Sequence, residues 1–262
     1  MQFGKKDKNS REILNFDEKS RNRQQFNLIK DHFAEDLIDK EYNFPYHCAM
    51  AKTAPFDNYH SEYEQWFDDN YFVYLSELEA IRKALRTSGK GVEIGVGSGL
   101  FASALDITEG CDPSATMRAK AIERGINAID GIAENLPYED KSFDNALMVT
   151  SICFVDNPQQ SIHEIHRILK PHGELIIGFV DKESPVGLEY LKNKEKSLFY
   201  KDANFYSTEN IYKLLWEYDF TIKKTYQTVF GKFQQIKEIQ QSENGYGKGS
   251  FIVIKAQKEG KT

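Results

Sequence analysis

The amino-acid sequence predicts an α/β fold: a doubly wound, mostly parallel sheet with helices on both faces, closed at its C-terminal end by an antiparallel hairpin. Three observations carry this. From Lys90 onward, short apolar runs alternate with amphipathic stretches of helical length. The first run passes without a break into a glycine-rich loop, so that residues 91–99 read GVEIGVGSG. The last two strand-like runs have no helix between them, and successive strands without a crossover form an antiparallel pair.

In chain order, residues 1–88 read as a helical N-terminal extension and cap. Residues 1–45 are polar and charged, with one helix expected at 25–40, where Phe26, Ile29, Phe33 and Leu37 recur at helical spacing. Residues 46–88 are rich in aromatics and end in a helix through Leu75, Leu78, Ile81 and Leu85, closed by Ser88 and Gly89. The core then occupies 89–262. Its strands are expected at 92–94, 107–111, 126–130, 145–150 and 174–180. The helix at 113–124 opens on a proline suited to a first turn and stops before Gly125. The helix at 157–170 carries Ile162, Ile165, Ile168 and Leu169 on one stripe and breaks at Pro171 and Gly173. An insertion follows at about 183–206. A Ser-Thr cap then starts a helix at 207–218, and the closing strands are 221–230 and 251–255.

Composition narrows the function classes. The chain of 262 residues has a net charge of −6, with Lys and Arg scattered along most of it, which argues against a dedicated nucleic-acid binder. The first thirty residues differ, with eight basic against four acidic side chains. That excess suits either a nucleic-acid or membrane arm or a plain solvated terminus, and only Phe3, Phe16 and Phe26 stand among the charges, fewer than a stacking surface would require. Cys48, Cys111 and Cys153 are odd in number and widely spaced, so a disulfide framework is not expected and a reducing cytoplasm is. The longest apolar stretch, 146–155, is too short to span a bilayer.

Open α/β sheets bind ligands at the carboxyl ends of their strands, near the point where strand order reverses. The glycine loop sits at the end of the first strand. A dinucleotide fingerprint starting at Gly95 would require glycine at position 100, which is Leu100. The glycines stand instead at 95, 97 and 99, with Glu93 two residues earlier. A pyrophosphate would meet that carboxylate unfavourably, whereas a ligand carrying an ammonium and a sulfonium would not. Asp112, at the end of the second strand, can accept hydrogen bonds from both ribose hydroxyls. Asp112-Pro113 also reads as an N-cap followed by a first-turn proline, and the two roles are compatible.

Four runs in order, GVEIGVGSG, GCDPSATM, DGIAENLPYEDKSFDNALMV and HRILKPHGELIIGFVD, resemble class I S-adenosylmethionine-dependent methyltransferases of the type-11 group, which includes those of menaquinone and ubiquinone synthesis. The flanks resemble small bacterial and archaeal members, some named for histamine N-methylation, an analogy of fold only. The resemblance implies a seven-stranded, Rossmann-like sheet and S-adenosylmethionine as methyl donor, leaving S-adenosylhomocysteine. It further implies that Glu93, Gly95, Gly97 and Gly99 cradle the methionine end, with Asp112 on the ribose and Met117 or its neighbours on the adenine face. Ala133 and Glu134 would flank the adenine through backbone groups, and Thr150 would lie beneath the methionine part. Where the family often reads GDAE, this chain has Gly131-Ile132-Ala133-Glu134, so the carboxylate expected on the adenine amino group is missing.

The family has no universal catalytic residue, so none is assigned, and no metal is expected. The expected acceptor is an N, O or S atom of a small molecule. Tyr59, Tyr63, Trp66, Phe154, Tyr200 and Tyr206 are the candidate pocket residues, since aromatic faces attract cations; spacing such as Tyr59, Tyr63, Trp66 equally describes a helix face packed on a core. His47 beside Cys48 lacks further ligands at metal-site spacing, and His163, His166 and His172 suit a solvated helix face. Cys153 reads as a buried small hydrophobe. Two alternatives are an RNA or protein acceptor reached through the basic arm and a cofactor-binding module without catalysis. The sequence is silent on oligomeric state.

Overall fold

The computed structural model of the protein describes residues 52–85 and 88–260. The helix expected at 25–40, the basic arm, His47 and Cys48 lie outside the described residues. Three helices precede the sheet: α1 (Ala54–Asn58), α2 (His60–Asp69) and α3 (Tyr71–Ala84). The strands are β1 (Gly91–Ile94), β2 (Glu109–Asp112), β3 (Asn127–Asp130), β4 (Phe143–Val149), β5 (Leu169–Val180), β6 (Phe220–Thr228), β7 (Glu243–Asn244) and β8 (Phe251–Lys258). Between them run α4 (Leu100–Ala104), α5 (Ala115–Glu123), α6 (Pro158–Ile168), α7 (Pro185–Asn193) and α8 (Thr208–Glu217).

The strand order is β3-β2-β1-β4-β5-β8-β6-β7. β1 to β5 pair in parallel, and β8 runs antiparallel to both of its neighbours, β5 and β6. The seven expected strands are all present. The two-residue β7, paired with Tyr226 and Gln227, adds an eighth at the edge. Strand order reverses at β1, between β2 and β4, so the crevice over the carboxyl end of β1 is where this architecture places a ligand.

Side chains alternate across the central strands, which is why both faces carry helices. Ala146 and Met148 of β4, Leu175 and Ile177 of β5, and Ile252 and Ile254 of β8 pack with Ile162, Ile165 and Ile168 of α6 and with Ile211, Leu214 and Leu215 of α8. The intervening residues Leu147, Val149, Ile176, Phe251 and Val253 face the other way, onto Val73, Ala80, Ile81 and Ala84 of α3 and Phe101 of α4.

Local chemistry moves two helix boundaries. The helix expected from Pro113 starts at Ala115, and its N-cap is Ser114, whose hydroxyl accepts from the Met117 amide at 3.1 Å. Asp112 is therefore not the cap of this helix; it accepts from the Ser114 amide just before it. The helix expected to reach Lys170 ends at Ile168. Lys170 precedes Pro171, which disfavours the helical conformation, and the chain has already turned into β5 at Leu169. At α8 the Ser207 cap is a full capping box, with the Ser207 and Asn210 side chains each bonded to the other's backbone amide.

Candidate active site

Gly95, Gly97 and Gly99 all have positive φ (+68°, +52° and +83°), so the backbone after β1 curls in a way that L side chains resist. At Gly95 a Cβ would stand 2.6 Å from the Ser151 Cβ, whereas at Gly97 the nearest atom is the Tyr63 hydroxyl at 3.5 Å. The loop is thus packed from below by the segment after β4 and overlooked from above by α2. The Ser151 hydroxyl fixes the underside by donating to the Ile94 carbonyl at 3.0 Å. Thr150, with φ +50°, makes the turn out of β4; it is anchored by its amide donating to the Gly178 carbonyl at 2.8 Å. A β-branched residue in that region is strained, a feature that concentrates at sites where geometry matters more than stability.

Two carboxylates face this loop. Asp112 accepts from the Gly97 amide on one oxygen and from the Ser114 amide on the other, both at 2.9 Å. Burial nevertheless raises its pKa above the ordinary carboxylate range, against the pull of those two amides. Glu93 is 2% exposed, and its Oε2 has no hydrogen-bond partner. Burial pushes its pKa far up, with a further contribution from Asp112. A backbone hydrogen bond from Ala102 acts against that rise, and the unpartnered oxygen of a buried carboxyl carries a desolvation cost.

The remaining expected cofactor residues sit on the adjoining rim. Ala133 is buried, and the Glu134 side chain accepts from the Asp156 and Asn157 amides at 2.8 and 3.1 Å, tying this turn to the start of α6. Ile132 pairs with Asn135 in an isolated bridge, so the position that lacks a carboxylate is a tight turn. Met117 is fully buried on α5.

Polar bonds from distant segments fasten the cap. The Ser114 hydroxyl donates to Asp57 of α1 at 2.5 Å. Arg124, at the end of α5, pairs with Glu64 of α2 and donates to the Ser98 carbonyl of the glycine loop at 2.7 Å. α1 and α2 are therefore tethered over the loop by polar bonds at two points.

Above the loop, aromatic rings from separate segments form a closed circuit. Phe56 touches Phe154 (5.0 Å between centroids), Phe154 stacks on Tyr200 (5.8 Å), and Tyr200 stacks on Tyr190 (4.8 Å). Tyr190 meets Phe233 (6.2 Å), Phe233 meets Trp66 (5.6 Å), and Phe67 and Tyr63 complete the return to Phe56. Of the six expected pocket residues, Tyr63, Trp66, Phe154 and Tyr200 belong to this circuit. Tyr59 stands apart at the α1–α2 junction, 39% exposed. Tyr206 packs instead on the α6–α8 side of the sheet, where it lines a groove of about 490 Å³. Phe56, expected in the same aromatic run as Tyr59, Tyr63 and Trp66, also belongs to the circuit, whereas Tyr190 and Phe233 were missed because each lies far in sequence from that run.

The other candidates are accounted for structurally. The Cys153 thiol lies 3.2 Å from the Thr150 carbonyl, and burial pushes it up to about 12, so it is no nucleophile at neutral pH. His163 is exposed as expected, but His166 packs edge-on against Phe220. Among the described residues no group of His, Cys, Asp and Glu is placed to hold a metal, and no helix is long and apolar enough to cross a membrane.

Comparison with known proteins agrees with this geometry. The type-11 methyltransferase-domain family model matches residues 92–177, from β1 through most of β5. A solved structure from Thermotoga maritima is 49% identical and superimposes with a TM-score of 0.77, covering 79% of this chain and all of that one. It is described as an S-adenosylmethionine-dependent methyltransferase, possible histamine N-methyltransferase.

The chain belongs to the S-adenosylmethionine-dependent methyltransferases.

The methyltransferase is also 42% identical over 203 residues to an uncharacterised protein of Methanocaldococcus jannaschii, covering 78% of this chain and 98% of the other. It is 28% identical over 180 residues to a phosphatidylethanolamine N-methyltransferase of Cereibacter sphaeroides, covering 62% and 81%. The methyltransferase has a site whose chemistry fits its cofactor: an unpartnered buried carboxylate oxygen for an ammonium, a bare backbone curl, and a second carboxylate for a diol. Bound S-adenosylmethionine supplies a methyl group on a sulfonium, already an excellent leaving group.

Proposed function

We propose that this methyltransferase acts on an N, O or S atom of a small molecule held under the aromatic cap. The observation that carries this is the closed circuit of rings above the glycine loop. Its apolar walls come from α1, α2, the segment after β4, α7 and the stretch that follows it, and they suit a compact ligand better than a polynucleotide or a protein surface.

In this reading Glu93 receives the ammonium of the methionine end, Gly95, Gly97 and Gly99 let the backbone approach it, and Thr150 lies beneath it. Asp112 takes the ribose hydroxyls with its remaining lone pairs. Ala133 and Glu134 meet the adenine through backbone groups. The protein's own work is then to align the acceptor and exclude water, which is most of what a displacement at a sulfonium needs. Tyr63, whose hydroxyl overlooks Gly97, stands where the two ligands meet.

Calorimetry with S-adenosylhomocysteine should show binding that Asp112→Ala and Gly97→Leu abolish. Mass spectrometry of small-molecule panels incubated with the methyl donor should then show an adduct of one methyl group. Methylation of RNA or protein alone, lost on deleting residues 1–30, would overturn the reading.

A further inference from the structure

Tyr206, expected under the cap, lines instead the groove of about 490 Å³ on the sheet face that carries α6 and α8. The groove runs between the first turn of α6, the length of α8 and the second half of the insertion. Its volume falls within the range of small-molecule sites. The floor is firmly held. Ala203 is wholly buried and Leu214 nearly so, although both line the groove. The Asn204 amide donates to the Cys153 carbonyl at 2.7 Å, and the Lys182 amide donates to the Tyr206 carbonyl at 3.0 Å. The strip at 203–206 is thus pinned near both of its ends.

One ring divides this groove from the acceptor side. Phe205 lines the groove and meets Tyr190 (6.0 Å between centroids) and Tyr200 (5.8 Å), two members of the aromatic circuit. The lining itself joins apolar faces to free charge. Leu191, near the end of α7, is 42% exposed, and Phe205 and Tyr206 are only partly buried, so an apolar body has surface to cover. Lys194 and Lys213 bring two ammonium groups, and among the described residues neither has an ion-pair or hydrogen-bond partner. Glu217 is the carboxylate of the lining, so two lysines against one glutamate leave a single net positive charge. Asn210 commits its carbonyl oxygen to Lys182 and the Ser207 amide, which leaves its NH2 to donate.

We infer that this groove is a second ligand site of the methyltransferase, and that it takes a small carboxylate with one negative charge and an apolar body. The two ammonium groups and the Asn210 NH2 receive the carboxylate, while Leu191, Phe205, Tyr206 and Leu214 cover the body. A cation is opposed by both lysines, and a second anionic group would meet Glu217. The bound ligand abuts Phe205 and so lies one ring away from Tyr190 and Tyr200. Binding involves no covalent step and is independent of which acceptor the methyltransferase uses.

The test is calorimetry on the full chain saturated with S-adenosylhomocysteine. The probes are phenylbutyrate, phenylbutanol and phenylbutylamine, which share one body and differ in charge. Phenylbutyrate should bind about fivefold or more tighter than the alcohol, with the amine weakest, as two partly solvated charge pairs allow. Lys194→Gln combined with Lys213→Gln should bring the acid down to the affinity of the alcohol. Neither ammonium holds another group among the described residues, so the Tm of this variant should match wild type. Leu191→Ala should weaken acid and alcohol alike, by about threefold, and leave their ratio unchanged. An acid that does not bind, or binds no better than the alcohol, would overturn the site. A preference that survives both lysine substitutions would overturn it as well, by placing the acid outside this groove.

Discussion

Replacing Glu77, which lies buried on α3, by glutamine should stabilise the ligand-free protein, and the gain should grow with pH. The sign follows from burial. Glu77 titrates near 8 in the folded chain against a reference of 4.5, so between those values the folded state holds a proton that the unfolded state has released. Stability therefore falls as pH rises through this window and is fully retained below it. Linkage over that interval gives a loss of roughly 3 kcal/mol at pH 7 and between about 4 and 5 kcal/mol at pH 9. Glutamine is nearly isosteric and neutral at every pH, so it removes this loss and matches the protonated wild type only below about pH 4.5. For a domain of this size the pH 7 difference is roughly 6 to 12 °C in Tm. Thermal or urea unfolding of both proteins from pH 4.5 to 9, without ligand, makes the comparison. The curves should converge at the acid end and separate progressively from about pH 4.5 upward. Parallel curves, or a variant less stable at pH 9, would refute the burial of a titrating carboxyl in this interior.

Asp112→Asn should be more damaging than its shape suggests. The two oxygens of Asp112 each accept a backbone amide, and an asparagine must turn its NH2 toward one of them, leaving a donor unpaired at a cost of about 1–3 kcal/mol. S-adenosylhomocysteine affinity measured by calorimetry should fall by about a hundredfold, as one or two charge-assisted bonds are lost. Gly95→Ala and Gly97→Ala should differ in kind: the first drives a methyl into Ser151 and lowers Tm sharply, whereas the second costs about 1 kcal/mol of backbone strain and mainly weakens cofactor binding. Arg124→Gln should free α2 from the glycine loop, seen as faster amide exchange in α2, with about 1 kcal/mol or less of global stability lost because the Arg124–Glu64 pair is partly solvated.

Much of this architecture was legible in the sequence because short-range chemistry encodes it. Strand after strand alternates with a helix of the right length, the glycines at 95, 97 and 99 are each required by a positive φ, and Ser207-Thr208 starts a helix as a cap should. Boundaries slipped where a competing local bond won, as at Ser114, or where a proline acted on its predecessor, as at Lys170. The acceptor side was harder to read. Phe56, Phe154, Tyr190 and Phe233 become neighbours only once the sheet has brought four distant segments to its upper edge. Among the buried acids, Glu77 did leave a trace, since it interrupts the apolar stripe of α3 between Val73 and Ile81. A charged residue there is equally consistent with a helix that turns its flank to solvent, and only the packing against β5, β6 and β8 decides between the two.

The position of β8 has a consequence for how the protein comes into being. β5 finds its antiparallel neighbour only after residues 181–250 have been made, and β6, synthesised earlier, has no place in the sheet until β8 arrives to bridge it. A nascent chain leaving the ribosome thus carries an open, strongly apolar edge on β5 through the whole synthesis of the insertion, α8 and the long connection. Completion of the sheet is a late, all-at-once event governed by the strand at 251–258. Any stall or cleavage before Phe251 would release a half-sheet primed to pair with its own kind.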